Sequence, residues 1–292
     1  MQKIKMMTDS TSDIDLETAE ALGIKMLCFP VTVDGVGYRE RLDFSKQDFY
    51  KMMAEAGEFP TTAQLTPFEL QETYTELLEA GYSDVIYVTI SSTGSATHQN
   101  AHLARDTFYA EVPGAEKLKI HIVDSRNYTA VYGYPVTQAA QKLQKGASVT
   151  EVLDYLDEWF GCAQVLFTPL TLKYVKRSGR VSAAAAFAGE LLGLRPLIQI
   201  ANGESTVLEK IRGDKNIVTR MLQKTLQLMT PKTPYVMVAG CNDAYAKELA
   251  KELTKKVGYP PEELVYIGAT VSCNAGPDVV GVIIRSIPFR TE

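Results

Sequence analysis

Short apolar segments alternate with stretches of helical periodicity along the first half of the chain. Each apolar run is followed by a helical pattern, and the pairs are residues 4–7 with 16–22, 85–90 with 96–110, and 120–123 with 129–143. This alternation is typical of a doubly wound α/β sheet, in which helices join parallel strands. We therefore expect a mostly parallel sheet flanked by helices, with a ligand site where the carboxyl ends of the strands meet.

The length of the chain, 292 residues, favours two domains. The segment Val31–Tyr38 alternates around Asp34-Gly35 and predicts a hairpin inserted into the first domain. We find no internal repeat, and the second half is not a copy of the first. We predict an N-terminal α/β/α domain over residues 1–155 and a C-terminal α/β domain over residues 156–292, with the ligand site between them.

The charge pattern makes nucleic acid a poor candidate for a partner. The net charge is −5, and the basic residues are dispersed except between Lys173 and Arg180. The four cysteines and three histidines lack metal-ligand spacing, so we expect no metal and no cofactor. The first residues reach Asp9 too early for a signal peptide, and no run approaches the ~20 apolar residues of a spanning helix. A cytoplasmic location is therefore expected.

A cluster of hydroxyl side chains follows the apolar run at residues 85–90. Its five members are Ser91, Ser92, Thr93, Ser95 and Thr97. Capping of the next helix by Ser92 or Ser95 would use one or two of them. Surplus hydroxyls and the unpaired N–H groups of a helix N-terminus favour a small anionic group. Because the turn lacks a glycine-rich phosphate loop and a lysine, a carboxylate or monophosphate fits it better than a polyphosphate.

A second polar segment lies just before another predicted helix. Thr66, Pro67 and Glu69 match a helix N-terminus, with threonine as the N-cap, proline at the first helical position and glutamate closing a capping box. This explanation does not cover three residues that precede the cap, which are Thr61, Thr62 and Gln64. We interpret these three as candidates for ligand contact.

The polar segment after the first predicted strand favours a structural role. We predict that Ser12 or Asp13 caps a helix that begins at Ile14. Asp9 is placed to orient neighbouring loop residues.

Two segments of the second half leave alternatives open. The basic concentration at residues 171–182 is either a solvated loop or a cationic lid and docking surface. The small residues of Ala183–Leu194 predict a helix that either packs tightly or leaves room for an apolar ligand. Periodicity does not separate these alternatives.

Six segments in register resemble the DegV family, whose characterised members are fatty-acid-binding subunits of a bacterial fatty acid kinase. The resemblance spans nearly the whole chain. The segments are residues 8–14, 61–67 (the family's T-S-Q-P-S-P), 91–99 (its S-S-x-L-S-G-T-Y-Q), Asp124-Ser125, 172–181, and Leu194-Arg195-Pro196 followed by Gly203. No single segment is decisive, and the order of all six carries the resemblance.

The resemblance implies two α/β domains with a fatty acid between and within them. The hydroxyls of the first two loops would hold its carboxylate, and residues 183–194 would lie near the acyl chain. In the family a separate kinase phosphorylates the carboxylate, and the binding protein has no catalytic machinery. We therefore expect a binding subunit with no catalytic residue of its own.

The sequence departs from the family pattern at several positions. The C-terminal G-T-H-x-G-P-G motif has Asn274 where the family has histidine, and Asp278 adds a negative charge expected near the head group. Leu65, Thr66 and Ala96 replace a proline, a serine and a glycine of the two loops. These changes predict either weaker binding of the head group or a different ligand.

The ligand-binding candidates combine both lines of reasoning, and they are Thr61, Thr62, Gln64, Ser92, Ser95 and Asn274. Arg177, Arg180 and Arg212 are candidates for a lid or for contacts with a partner. The expected partners are a long-chain fatty acid and a fatty acid kinase subunit. A monomer and a transient membrane-surface contact are also expected.

Two other classes of function stay open at this stage. The first is a hydrolase or phosphotransferase that acts on a small carboxylate or phosphate in the interdomain cleft, using Asp9 with Ser10 or Asp124. The second is a regulatory module whose ligand gates the binding of a partner.

Overall fold

The computed structural model describes residues 3–182 and 193–289. Its strands are β1 (Ile4–Asp9), β2 (Lys25–Leu27), β3 (Pro30–Val33), β4 (Val36–Arg39), β5 (Thr61–Thr62), β6 (Asp84–Thr89), β7 (Lys119–Asp124), β8 (Ala163–Pro169), β9 (Leu194–Ala201), β10 (Glu204–Arg212), β11 (Val236–Ala239), β12 (Leu264–Tyr266) and β13 (Val279–Arg285). Its helices are α1 (Leu16–Ala21), α2 (Lys46–Glu55), α3 (Pro67–Glu79), α4 (Thr97–Glu111), α5 (Ala130–Gln144), α6 (Val149–Phe160), α7 (Lys173–Ser178), α8 (Ile217–Leu228), α9 (Ala244–Val257) and α10 (Ala269–Ala275). None of the helices within these ranges combines the length and apolar character needed to span a membrane.

The first sheet is entirely parallel, with strand order β2-β1-β6-β7. Every residue of the central strand β6 is buried, because helices cover both faces of the sheet. Helix α5 packs on β1, and α4 packs on β7 and on α3. The predicted α/β class and the parallel sheet are therefore confirmed.

A small antiparallel sheet, β4-β3-β5, forms the predicted excursion. Asp34 and Gly35 join β3 to β4 with φ angles of 47° and 78°, which suits the right-handed twist of the two strands. The hairpin prediction is confirmed. The same sheet places Thr61 and Thr62 beside β3.

The second sheet is mixed and has the order β10-β9-β8-β13-β11-β12. One face packs against α8 and α9 through residues such as Leu166, Met237 and Val282. The opposite face carries Val165 and Val238, which belong to the core shared with the first sheet. Helix α6 runs through the expected boundary at residue 155, and the division into two domains remains a prediction.

The loop after β1 differs from its predicted form. A 3₁₀ turn occupies Ser10–Ser12, and the Asp9 side chain caps it by accepting from the Thr11 N–H. Helix α1 begins only at Leu16, with Asp15 at its N-cap. The predicted cap by Ser12 or Asp13 is wrong, because Asp13 adopts a left-handed conformation and bonds to other segments.

The Asp9 carboxyl joins the ends of the two central strands. It accepts hydrogen bonds from the Ile90 N–H at 3.0 Å, from the Tyr132 hydroxyl at 2.6 Å, and from Thr11. The side chain is fully buried, and this burial raises the pKa of Asp9 to about 6. The predicted orienting role of Asp9 agrees with these contacts.

The raised pKa of Asp9 predicts a specific pH dependence of stability. In the folded state the carboxyl holds its proton to a higher pH than in the unfolded state, so ionisation lowers the free energy of unfolding as pH rises from about 4 to 6. We expect the difference in that free energy between wild type and Asp9→Asn to fall by roughly 3 kcal/mol across this window. Urea denaturation of both proteins at pH 4 and pH 7 measures it. A difference that is flat or rises with pH would contradict the assignment.

Candidate functional site

A cavity of about 600 Å³ lies between the first and second sheets. This volume is within the usual range for a small-molecule ligand. The larger apolar residues of its wall are Phe29, Ile90, Val165, Phe167, Val181, Ile200, Val238, Ile267, Val271 and Val279. The polar residues of its wall are Thr62, Gln64, Ser92, Thr93, Ser95, Gln99, Tyr128, Thr129, Ser178, Arg180, Thr270 and Asn274. The cavity thus combines an apolar surface with a polar one.

The apolar surface follows from strand alternation in the second sheet. Val165 and Phe167 are two positions apart on β8, so both side chains point to the same face. Gly281 on β13 pairs with both Phe167 and Val238 and contributes no side chain between them. A β-carbon there would lie 3.2 Å from the Val238 β-carbon. Because glycine has no side chain, nothing projects from this position of the sheet toward the cavity. The face is therefore apolar and recessed.

We call residues 61–64 and 91–97 the hydroxyl loops, because they bring most of the predicted ligand residues to the cavity. Thr62, Gln64, Ser92 and Ser95 all line its wall. Thr61 is exposed and does not line it. The two threonines form β5, and neighbouring side chains of a strand point to opposite sides.

The hydroxyl loops differ in how much hydrogen-bonding capacity they leave free. The Thr62 side chain has no hydrogen-bond partner within the described part of the chain. Ser95 accepts from the Thr97 N–H at 3.2 Å and lies 3.0 Å from the Thr97 hydroxyl. Ala96 is at the N-cap of α4 without a side-chain cap. Ser95 thus satisfies one N–H at the start of α4 and still reaches the cavity.

Ser92 is held by the adjacent loop. Its N–H donates to Asp124 at 3.1 Å, and its hydroxyl also donates to the Asp124 carboxyl. Asp124 accepts in addition from the Arg126 N–H at 2.9 Å. Ser92 therefore shapes the loop, and its hydroxyl proton is already used.

The predicted capping box before α3 is confirmed. Thr66 accepts from the Glu69 N–H, Glu69 accepts from the Thr66 N–H, and Pro67 begins the helix. These residues fix the end of the loop that carries Thr62 and Gln64.

Asn274 lines the cavity from α10, and its contact with a ligand stays a prediction. Its amide donates to the Thr270 carbonyl at 2.8 Å, one turn earlier in the helix. Asp278 does not line the cavity, and burial raises the pKa of its carboxyl. The expected negative charge of Asp278 is thus not part of the wall.

The three arginine candidates occupy different places. Arg180 lines the cavity, next to Gly179 at the end of α7. The Arg177 guanidinium lies 4.6 Å from the centre of the Phe59 ring. Arg212 is exposed at the end of β10 and is absent from the cavity wall. The expected helix of small residues lies outside the described residues over 183–192.

Sequence reasoning missed several polar residues of the wall, namely Gln99, Tyr128, Thr129 and Thr270. Tyr128 and Thr129 follow β7, whose carboxyl end lies at the same edge as the hydroxyl loops. Their position after a predicted parallel strand could have identified them as candidates for ligand contact. Thr270 had no comparable signal, because it lies in the second half of the chain on a short helix.

The residues of the enzymatic alternative lack access to the cavity. Asp9 and Ser10 are fully buried and do not line it. The Ser10 hydroxyl donates to Glu40 at 2.7 Å, and Asp124 is bonded to Ser92 and Arg126. This arrangement does not favour a nucleophile or base acting on a ligand in the cavity.

Comparisons with known proteins agree with this architecture. A family model described as "DegV: Uncharacterised protein, DegV family" matches residues 3–286. The chain belongs to the DegV family. A protein of Thermotoga maritima named "Fatty acid-binding protein" is 30% identical over 96% of both chains.

Solved structures of DegV proteins share the fold. The structure described as "Fatty Acid Binding of a DegV family Protein from Thermus thermophilus" has a TM-score of 0.86 and 28% identity, covering 98% of this chain and 100% of the other. The structure "DegV, a fatty acid binding protein from Bacillus subtilis" has a TM-score of 0.80 and 26% identity, covering 97% and 99%. Fatty acid binding is thus a property of members of this family.

Proposed function

We propose that this protein binds a long-chain fatty acid in the cavity and presents its carboxylate to a fatty acid kinase for acyl phosphate formation. The observation that carries the proposal is the joining of an apolar sheet face to the hydroxyl loops within one cavity. The fatty-acid-binding relatives of Thermotoga maritima and Thermus thermophilus support the same ligand class. In this proposal the acyl chain lies on the second sheet and the carboxylate lies at the hydroxyl loops.

The two surfaces would contribute differently to affinity. Burying each methylene group is worth ~0.8 kcal/mol, so a long acyl chain supplies most of the binding free energy. Hydrogen bonds from hydroxyl and N–H groups to an ionised carboxylate add about 1.5 to 3 kcal/mol each. The hydroxyl loops would therefore fix the orientation of the ligand more than its total affinity.

The proposal assigns Thr62 and Ser95 to the carboxylate. We expect the double variant Thr62→Ala, Ser95→Ala to bind hexadecanoic acid about 100-fold more weakly, because two hydrogen bonds to the carboxylate are lost. Displacement of a fluorescent fatty acid measures the dissociation constant. Thr61→Ala is the matched control, since Thr61 neighbours Thr62 but lies outside the wall, and its affinity should stay within about twofold of wild type. Unchanged affinity of the double variant would show that the head group lies elsewhere.

The proposal also assigns the acyl chain to the face that carries Val238. In Val238→Phe the larger ring should displace part of the chain, so affinity should fall by about fourfold for each methylene that loses its place. Calorimetry with saturated fatty acids of roughly 10 to 18 carbons should then show that the variant binds most tightly a shorter acid than wild type does, because fewer methylene groups can be buried. Met237→Leu is the control, because Met237 points to the opposite face of the same strand. An unshifted length preference in Val238→Phe would exclude this face.

The kinase-coupling part of the proposal concerns the arginines. Arg177 and Arg212 lie outside the cavity wall, so Arg177→Glu and Arg212→Glu should leave fatty acid affinity unchanged and slow acyl phosphate formation by a partner kinase at least tenfold. Arg180→Glu should also weaken binding of the ligand, because Arg180 lines the cavity. Normal phosphorylation with both outer variants would remove these residues from the docking surface.

The remaining parts of the proposal concern the setting of the protein. We expect the binding subunit to act without a cofactor, as a monomer in the cytoplasm, and to contact a membrane surface transiently when it exchanges its ligand. The chemistry of phosphate transfer would belong to the kinase.

A further inference from the structure

Glu40 occupies a buried position between the two halves of the molecule. It follows β4 directly, and only 1% of its surface is exposed. Its carboxyl group accepts from the Ser10 hydroxyl at 2.7 Å on one side. On the other side it accepts from the Thr270 hydroxyl at 2.7 Å and from the Thr270 N–H at 3.2 Å. One side chain therefore connects the loop after β1 to the first turn of α10.

These bonds extend to both walls of the cavity. The Ser10 hydroxyl also accepts from the N–H of Phe29, which lines the cavity on the side of the first sheet. Thr270 lines it on the other side, and its carbonyl accepts from Asn274, which lines it as well. A continuous chain of hydrogen bonds thus runs from one wall to the other through Glu40.

The backbone around Glu40 is shaped for this contact. A β-carbon at Gly268 would overlap both the Glu40 carboxyl and the Asp13 carboxyl. The φ angle of Gly268 is −84°, which any residue can adopt, so its small size and not its conformational freedom matters here. Close approach of the acidic side chains therefore depends on glycine at this position.

We propose that Glu40 is a positioning residue that sets where Thr270 and Asn274 stand in the cavity, and so sets the preference for a free carboxyl group on the ligand. The inference rests on the proposed function together with the prediction from the sequence that Asn274 contacts the head group. Glu40 itself does not line the cavity. It acts through Thr270, whose hydroxyl and N–H it holds, and through the helix turn that carries Asn274.

The test compares two probes with the same tail, hexadecanoic acid and its methyl ester. Wild type should prefer the acid. In Glu40→Gln, which keeps the size of the side chain but loses acceptors, this preference should fall by about tenfold while the affinity for the ester stays nearly constant. Ser10→Ala, which removes a bond on the far side of Glu40, should shift the preference in the same direction by a smaller factor.

A purely structural role predicts a different pattern. Met221→Ala is the control, because Met221 is fully buried against the other face of the second sheet. It should lower the melting temperature and leave the ratio of acid to ester affinity unchanged. Gly268→Ala should also lose the preference, because its β-carbon would displace the Glu40 carboxyl; the same β-carbon would crowd the Asp13 carboxyl, so Gly268→Ala supports Glu40→Gln and does not replace it.

The outcomes separate the inference from the proposed function. A wild type that binds neither probe overturns both. A wild type that prefers the acid, with Glu40→Gln and Ser10→Ala keeping that preference, overturns only the role of Glu40. An equal loss of affinity for the acid and the ester in Glu40→Gln would likewise overturn only the role of Glu40. A loss of affinity for the acid, with the affinity for the ester kept, in both Glu40→Gln and Gly268→Ala supports the inference.

Discussion

The carboxyl group of Asp13 joins the two halves of the molecule, and the cavity depends on that junction. Asp13 accepts from the Gly268 N–H at 2.6 Å, from the Thr129 hydroxyl at 2.5 Å and from Arg41 at 3.0 Å. Two sheet faces lined with apolar residues would lower their free energy by closing on each other, since burial of apolar surface is favourable. Directional bonds among buried polar groups oppose this closure, because breaking them would leave acceptors and donors unsatisfied. A fixed separation between the sheets is what leaves the cavity open.

The polar wall shows how an anion can be held with little formal charge. Among the wall residues that the structure describes, Arg180 carries the single formal charge. The other polar groups are hydroxyls and amides, which can rotate to donate or to accept. Such a wall does not require a dehydrated lysine, whose burial would be costly beside an apolar surface.

Periodicity and local rules were enough to predict the parts of the fold that depend on neighbouring residues. The parallel sheet, the turn at Asp34-Gly35 and the capping box at Thr66 all follow from spacing within a few residues. Asp13 could not be assigned in this way, because its partner Gly268 is 255 positions distant along the chain. A helix cap was the local explanation, and a tertiary contact took its place.

In the candidate site, too, some features could be predicted from neighbouring residues and others could not. The hydroxyl excess after β6 identified residues that do line the cavity, such as Ser95. Thr61 was paired with Thr62 because the two are adjacent, yet adjacency within a strand places their side chains on opposite sides. Recognising the segment as a strand would have separated them.

Under the proposed function the site has to accommodate both a carboxylate and its phosphorylated product, and the position of Asn274 bears on how it could do so. Its amide carries no charge at any physiological pH, and no wall residue within the described ranges is an aspartate, glutamate, histidine or lysine. With respect to these wall residues, binding near neutral pH would then follow the ionisation of the ligand itself. The wall hydroxyls are neutral and can rotate, so they could turn to donate hydrogen bonds to an added phosphate group as well as to a carboxylate. Under the proposed function a contact from Asn274 would not change with pH, and the rest of the described wall, together with Arg180, would complete recognition of the head group.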